Sequence, residues 1–408
     1  MLDAKVKMTN LNFSKRKLRV RCAHPELSSS RRYFLGRFGV STLTGLALRG
    51  QLFGASLRNV FETSQLRGQG GLVRLDGNEN PYGPSKKVVD AIVSALNGVN
   101  RYPETEPTEL LEQIAQQHRV HSDQVILGCG STEILRAAAF AFLGAGKRLV
   151  QASPTFPAIA EYARAVGAEV VSIPLTTRYA HDLDTMSASS NGASLVYICN
   201  PNNPTASITP RGDLETFISH LPAACHVLID EAYHDYVFPS AMYASFLDHP
   251  LNDDRVIVSR SFSIAYGLGG MRLGYGIASA TVVKRIRAYM TQMNANVLAV
   301  RAALAALEDT SSLKTFVKHN ADDRQEFFNQ AMARVLKPID SHTNFVMMNT
   351  FNPASLIVEH FRTNSVLIGP VFREMDTFIR VSLGTPQDML TFWRVWDSLP
   401  IKTPKMHH

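Results

Sequence analysis

The stretch SRSFSIAYGLGGMRLGY, Ser259–Tyr275, decides how the rest of the chain is read. It starts inside one apolar run, RVIVSRSFS, and ends inside another, LGYGIAS, with a glycine-rich turn between them. A strand, a turn and a strand would put Ser261, Ser263 and Arg272 on one loop. Two hydroxyls and a guanidinium there can clamp a phosphate group. At the centre stands Ile264, an aliphatic side chain with no acid–base or nucleophilic chemistry.

Working outward, short apolar runs alternate with longer segments of helical period from Leu72 onward. Strands are expected at QVILGCG, RLVQASP, AEVVSIPL, SLVYICNP, HVLIDEAY, RVIVSRSFS and LGYGIAS. Helices are expected at STEILRAAAFAFLGAG and TFPAIAEYARAVG. This alternation predicts an α/β fold whose large domain, residues 71–310, carries a mostly parallel seven-stranded sheet. One long helical region from Thr281 to about Glu308, then another to about Val335, leads into a small C-terminal α+β domain, residues 311–408. There NFVMMNT, SVLIG and TFIRVSLGT read as strands, PASLIVEHFRT and PQDMLTFWRVWDSL as helices. The N-terminal arm 71–100 is expected to pack with this smaller domain.

Composition is that of a globular protein, with 45% hydrophobic and 19% charged residues in 408. The net charge of +7 is unevenly spread: residues 1–70 hold 13 Lys and Arg against 3 Asp and Glu, which leaves the remaining chain at −3. The basicity belongs to a leader, so no nucleic-acid partner is expected. That leader contains SSSRRYFLGRFGVSTLTGLALRG, Ser28–Gly50. Arg31 and Arg32, followed by a weakly apolar stretch, resemble a twin-arginine export signal. This implies the Tat translocase as a partner and a periplasmic or exported location, with a basic extension on a cytoplasmic protein as the alternative. The apolar stretch is too short and polar for stable membrane insertion. Cys22, Cys129, Cys199 and Cys225 show no C-x-x-C or metal-ligand spacing, so no metal site is expected.

Three more motifs carry chemistry. In LGCGSTEI a glycine turn ends a strand and opens a helix, presenting the N–H groups of Gly130, Ser131 and Thr132 to an anion. In NPNNPT two prolines bracket Asn203 and aim its amide. In VLIDEAYHDY, Asp230 ends a buried strand and needs a cationic partner, with Tyr233 three residues on.

Together with LDGNENPYGPS, NRYPE, SPTFP and FIRVSLGTP, these motifs resemble the class I/II aminotransferases of the fold-type-I pyridoxal-phosphate (PLP) family, histidinol-phosphate aminotransferase-like branch, over about Leu75–Leu399. The resemblance implies a cofactor site in which Asp230 meets the ring nitrogen, Asn203 and Tyr233 the ring hydroxyl, and Phe156 the ring face. Gly130, Ser131, Thr132, Ser261, Ser263 and Arg272 would hold the phosphate, joined by Tyr102 from the partner subunit of a homodimer. Arg380, with Asn78 and Asn344, would hold an amino-acid or amine substrate by its carboxylate end.

The pattern departs from the family at its chemical centre. Where Ile264 stands the family carries the Schiff-base lysine, which also moves the substrate's proton. Non-covalent pyridoxal 5′-phosphate or pyridoxamine 5′-phosphate is therefore the expected cofactor. The expected chemistry is lyase or dehydratase action, or slow transamination. Two alternatives stay open: a non-catalytic protein that binds PLP or a PLP–amino-acid adduct, and an ordinary aminotransferase inactivated by one substitution. His234 is the nearest titratable group and, as the next residue along a strand from Tyr233, is expected to face away. Ala206 stands where the family has glycine. Gly369 lies near where relatives carry an arginine, which puts phosphate-ester substrates in doubt.

Overall fold

The computed structural model describes residues 71–238, 240, 242–248, 250 and 253–400; the leader, with Arg31 and Arg32, lies outside the described residues. Twelve strands run in chain order as β1 (Val73–Leu75), β2 (Val125–Gly128), β3 (Arg148–Ser153), β4 (Glu169–Pro174), β5 (Leu195–Cys199), β6 (His226–Asp230), β7 (Val256–Ser261), β8 (Gly274–Ile277), β9 (Lys337–Pro338), β10 (Phe345–Asn349), β11 (Val366–Ile368) and β12 (Phe378–Ser382).

Strands that are apolar at every position need cover on both faces. In β5 all five residues are buried. Leu195, Tyr197 and Cys199 point into one core with the helices Ser131–Phe142, Ala158–Ala165 and Ala280–Arg287. Val196 and Ile198 point into the other, with Glu106–His118, Arg211–His220 and Val297–Glu308. The sheet has seven strands in the order β2-β8-β7-β6-β5-β3-β4. β8 runs antiparallel to both neighbours, and every other pairing is parallel. The expected fold therefore holds, with a mostly parallel sheet and a smaller α+β domain built on the three-stranded sheet β12-β10-β9. Phe327, Phe361, Phe392, Trp393 and Trp396 fill the smaller core.

β1 pairs in parallel with β11 of the smaller domain, while the next helix, Lys86–Ala95, packs on Val297–Glu308 of the larger one. The arm thus ties the two together.

Two local expectations fail. The helical region from Thr281 breaks between Arg287 and Val297 because polar groups there bond elsewhere. Thr291 N and Asn294 Nδ2 donate to Glu133 (3.3 and 2.7 Å), and Asn296 caps the following helix through Ala299 N at 2.8 Å. The β6 strand ends at Asp230, so Tyr233 and His234 lie in a turn and a short 3-10 helix rather than on a strand. No helix among the described residues is long and apolar enough to cross a membrane.

The ends of β2, β5, β6 and β7 and the start of β8 fall on one edge of the sheet, where ligands of open α/β sheets bind. The arm is held against this edge at Gly267, whose φ is +67° and whose position leaves no room for a side chain. A Cβ there would lie 2.5 Å from the Gly83 carbonyl carbon and 2.8 Å from Pro84 N. We expect Gly267→Ala to lower the unfolding free energy by about 1–3 kcal/mol, read from urea melts, with earlier proteolysis of the arm.

Candidate active site

One end of the edge is built for an anion. Gly130, at φ +71°, caps the helix Ser131–Phe142, and the space its missing Cβ would fill is occupied by the Arg272 guanidinium. Arg272 donates from Nη1 to Ser263 Oγ (3.3 Å) and Gly269 O (3.0 Å). Ser263 N in turn donates to Ser261 Oγ at 3.0 Å. A Cβ on Gly274 would strike Ser131 N, so β8 also approaches this helix start without a side chain between. The structure brings Gly130, Ser131 and Thr132 together with Ser261, Ser263 and Arg272. The positive end of a helix there faces a guanidinium that pairs with no carboxylate among the described residues.

A second cluster centres on Tyr233. Asn78 Nδ2 (2.9 Å) and Asn203 Nδ2 (3.3 Å) both donate to its hydroxyl oxygen. Arg380 donates from Nη1 to Asn203 Oδ1 at 2.8 Å and from Nη2 to Asp76 O at 2.7 Å. Arg380 and Ser382 share a face of β12, two residues apart. Ser382 Oγ accepts from Asn78 N (2.8 Å) and donates to Asn78 Oδ1 (3.1 Å). Asn344, just before β10, donates to Asn78 O and Glu79 O. Arg380 Nε and Asn344 Oδ1 are buried without partners. The guanidinium lies between the Phe345 and Phe372 rings, 5.5 and 5.6 Å from their centroids. Burial lowers its pKa, and no carboxylate hydrogen-bonds it. The Asp76 carboxylate offsets that burial only in part and at a distance, so a ligand carboxylate would relieve the remaining cost. Gly369 is pressed against it: a Cβ there would meet Arg380 Cβ at 2.9 Å and Nε at 3.1 Å.

Asp230 is the complementary case, a carboxyl group that is 3% exposed with no cation beside it among the described residues. Its Oδ1 accepts from Ala232 N (3.1 Å) and its Oδ2 from Tyr197 Oη (3.0 Å). Burial pushes its carboxyl up to about 6, against the pull of those two bonds.

Ile264 packs, half-buried, against a small apolar cluster of Ala206, Tyr233 and Phe345. Ala206 sits at φ +62°, a left-handed conformation that favours glycine, and its carbonyl accepts from His342 N at 2.9 Å. All the described lysines, Lys86, Lys87, Lys147, Lys284, Lys314, Lys318 and Lys337, are exposed. His234 turns away from this cluster to Tyr243 Oη at 3.2 Å, and burial pushes its imidazole down to about 2. Phe156 is half-buried on a loop tied to NPNNPT through Thr155 Oγ1 and Asn202 Oδ1 at 2.8 Å. Tyr102 is 79% exposed and is not part of either cluster.

Sequence reading missed Tyr197 and Ser382. A tyrosine inside an otherwise apolar strand, LVYIC, is the signal for the first, because a buried phenol needs a partner. Ser382 carries no such signal, since its partner Asn78 lies 304 residues away.

The sequence profile of the family described as Aminotransferase class I and II matches residues 71–394. The chain belongs to this family. It is 37% identical to histidinol-phosphate aminotransferase 2 of Carboxydothermus hydrogenoformans over 77% of this chain and 87% of that protein. It is 33% identical to the histidinol-phosphate aminotransferase of Caldicellulosiruptor saccharolyticus over 79% and 90%. Among solved structures, the histidinol-phosphate aminotransferase from Sinorhizobium meliloti, determined in complex with pyridoxal-5′-phosphate, superposes with a TM-score of 0.75 at 26% identity, covering 83% of this chain and 92% of that one. The aminotransferase fold is thus matched over nearly the whole described chain.

The buried carboxyl gives a pH signature. Asp230 holds its proton more tightly in the native state, at about 6, than at its ordinary value of 3.8. Its contribution to stability is therefore greatest below about pH 4 and falls as pH rises through about 6. The total is on the order of 3 kcal/mol. Its neighbours Tyr197, Cys199, Glu231 and Tyr233 are not cations. Urea melts of ligand-free protein at pH 4.5 and 7.5 should show Asp230→Asn gaining stability relative to the parent mainly at the higher pH.

Proposed function

We propose that the chain holds pyridoxal 5′-phosphate, or pyridoxamine 5′-phosphate, without a covalent bond, and acts on an amino acid or related amine by chemistry that uses no lysine. One observation carries this reading. Ile264 packs against Tyr233 and Phe345, beside Ser263, where the family lysine would stand, and every described lysine is exposed, which supports this reading. The unpaired Asp230 carboxylate, the Arg272 guanidinium over Gly130 and the orphaned Arg380 Nε support the fit.

When bound, the cofactor supplies an electron sink at the amine-bearing carbon. Gly130, Ser131, Thr132, Ser261, Ser263 and Arg272 would hold its phosphate. Asp230 would keep the ring nitrogen protonated, Asn203 and Tyr233 would hold the ring hydroxyl, and Phe156 would cover a ring face. Arg380, set by Asn203 and Asp76, would take the substrate carboxylate, with Asn78 and Asn344 holding the backbone beside it. Tyr102, exposed in one chain, would reach the phosphate of the partner subunit in a homodimer. Without a positioned base the proton step loses about 10²–10⁴-fold in rate. Slow transamination, elimination or dehydration is the chemistry left.

A second reading is capture without turnover. It is favoured by the lack of a competent base in the site: burial pushes the Tyr233 phenol up to about 12, and His234 points elsewhere. A third is an ordinary aminotransferase whose lysine position holds isoleucine through a single change.

Visible spectra of the protein mixed with PLP, before and after amino acids and after borohydride, separate these readings. We expect saturable uptake and no cofactor fixed to the chain by borohydride. A fixed cofactor would contradict the non-covalent reading, and no uptake would sink it altogether. Release of keto acid or ammonia selects turnover, whereas a stable amino-acid complex selects capture. Ile264→Lys restoring rapid transamination with common amino acids would favour the third reading. Arg380→Gln should weaken amino-acid uptake about 10–100-fold while cofactor uptake stays near the parent's. For the leader we propose twin-arginine export to the periplasm. A reporter fusion that stays cytoplasmic with Arg31 and Arg32 intact would count against it.

A further inference from the structure

Tyr197 is the only residue of β5 with a polar side-chain oxygen, in a strand whose five positions are all buried. Its ring lies in the core that includes Phe142, Leu149, Leu195 and Leu228, which a phenylalanine would fill equally well. The hydroxyl is what distinguishes the two, and it donates to Asp230 Oδ2 at 3.0 Å. The register explains the reach. β5 and β6 are parallel neighbours with Cys199 opposite Asp230 and Tyr197 opposite Leu228, so Tyr197 is the diagonal neighbour of Asp230 on the same face.

We propose that Tyr197 is a positioning residue of the cofactor site: its phenol grips one oxygen of Asp230 and keeps that carboxylate ionised and oriented for a protonated ring nitrogen. The proposal rests on the cofactor reading above and goes beyond it in naming what prepares Asp230. Ala232 N holds the other oxygen at 3.1 Å. The remaining groups around the carboxylate are Cys199 on β5, Ser259 opposite it on β7, and Glu231 and Tyr233 after β6. None is a cation, so these two hydrogen bonds, with the Ser259 hydroxyl beside them, oppose the cost of burying an ionised carboxylate, and the phenol is the strongest of the three. Burial holds the Tyr197 phenol far above its ordinary range, so it stays a donor at every working pH. With the phenol removed, Asp230 becomes the stronger base. It would then draw the shared proton from the ring nitrogen, leaving less of the ring in its pyridinium form.

The test compares the parent with Tyr197→Phe, using Asp230→Asn to assign the Asp230 signal. In ligand-free protein, carbon-13 NMR follows the Asp230 carboxyl with pH, and we expect its midpoint to rise by about one unit in Tyr197→Phe. Replacing the Tyr197 side chain by 3-fluorotyrosine, a stronger donor of nearly the same size, should lower it instead. In loaded protein, Tyr197→Phe should weaken PLP binding about ten-fold at neutral pH. It should not weaken binding of the analogue whose ring nitrogen is replaced by carbon. An unchanged midpoint in both variants, or an equal loss of affinity for PLP and the carbon analogue, would overturn the proposal. If the parent takes up no PLP, the cofactor reading falls together with the ring-nitrogen half of the proposal. A shifted midpoint would then still uphold the grip of Tyr197 on Asp230.

Discussion

A carboxylate at the buried end of a parallel strand is unstable unless something nearby stabilises its charge, and Asp230 occupies such a place with a phenol, one backbone N–H and the Ser259 hydroxyl beside it. Much of the site can be understood from that constraint. β6 brings the carboxylate to the edge of the sheet where β5 delivers Asn203 and β7 delivers Ser261 and Ser263. The crossing helices cover both faces and keep water from neutralising the charge. What is missing is a cation, and a protonated ring nitrogen is a group of the right kind.

Arg380 poses the opposite problem. Its guanidinium is flanked by Phe345 and Phe372 and bonded only to an amide oxygen and a backbone carbonyl. A buried carboxylate held by neutral groups and a buried guanidinium offset only at a distance by Asp76 are both unfavourable for an empty protein. Under the proposed function, a zwitterionic substrate and a protonated, phosphorylated cofactor would relieve both. Ile264 shares its small cluster with Ala206, so two of the three departures from the family pattern meet in one apolar patch, while Gly369 presses on Arg380 instead.

The arm matters because it crosses between the two domains. β1 belongs to the smaller one by its pairing with β11, yet Asn78, Glu79 and Gly83 on the same arm reach Tyr233, Asn344 and Gly267. A shift of the smaller domain would therefore move Arg380, Ser382 and Asn78 together relative to Asp230. That coupling places Arg380 and Asp230 on separately built supports.

Sequence alone determined the class of fold and named most of the residues proposed for the pocket. Period and apolarity are local properties, so runs such as VILG, LVYIC and HVLID declare themselves as buried strands, and the glycine turn before Ser131 declares a helix start. The same locality hides what depends on distance. The break after Arg287 comes from Glu133, some 160 residues away, and the Tyr197–Asp230 bond exists only because two strands align in one register. That Ile264 is aliphatic is written in the chain, but that no lysine from elsewhere among the described residues reaches the pocket is not. Tertiary structure decided it, because every described lysine is on the surface, where its ammonium keeps the hydration that a buried position would remove.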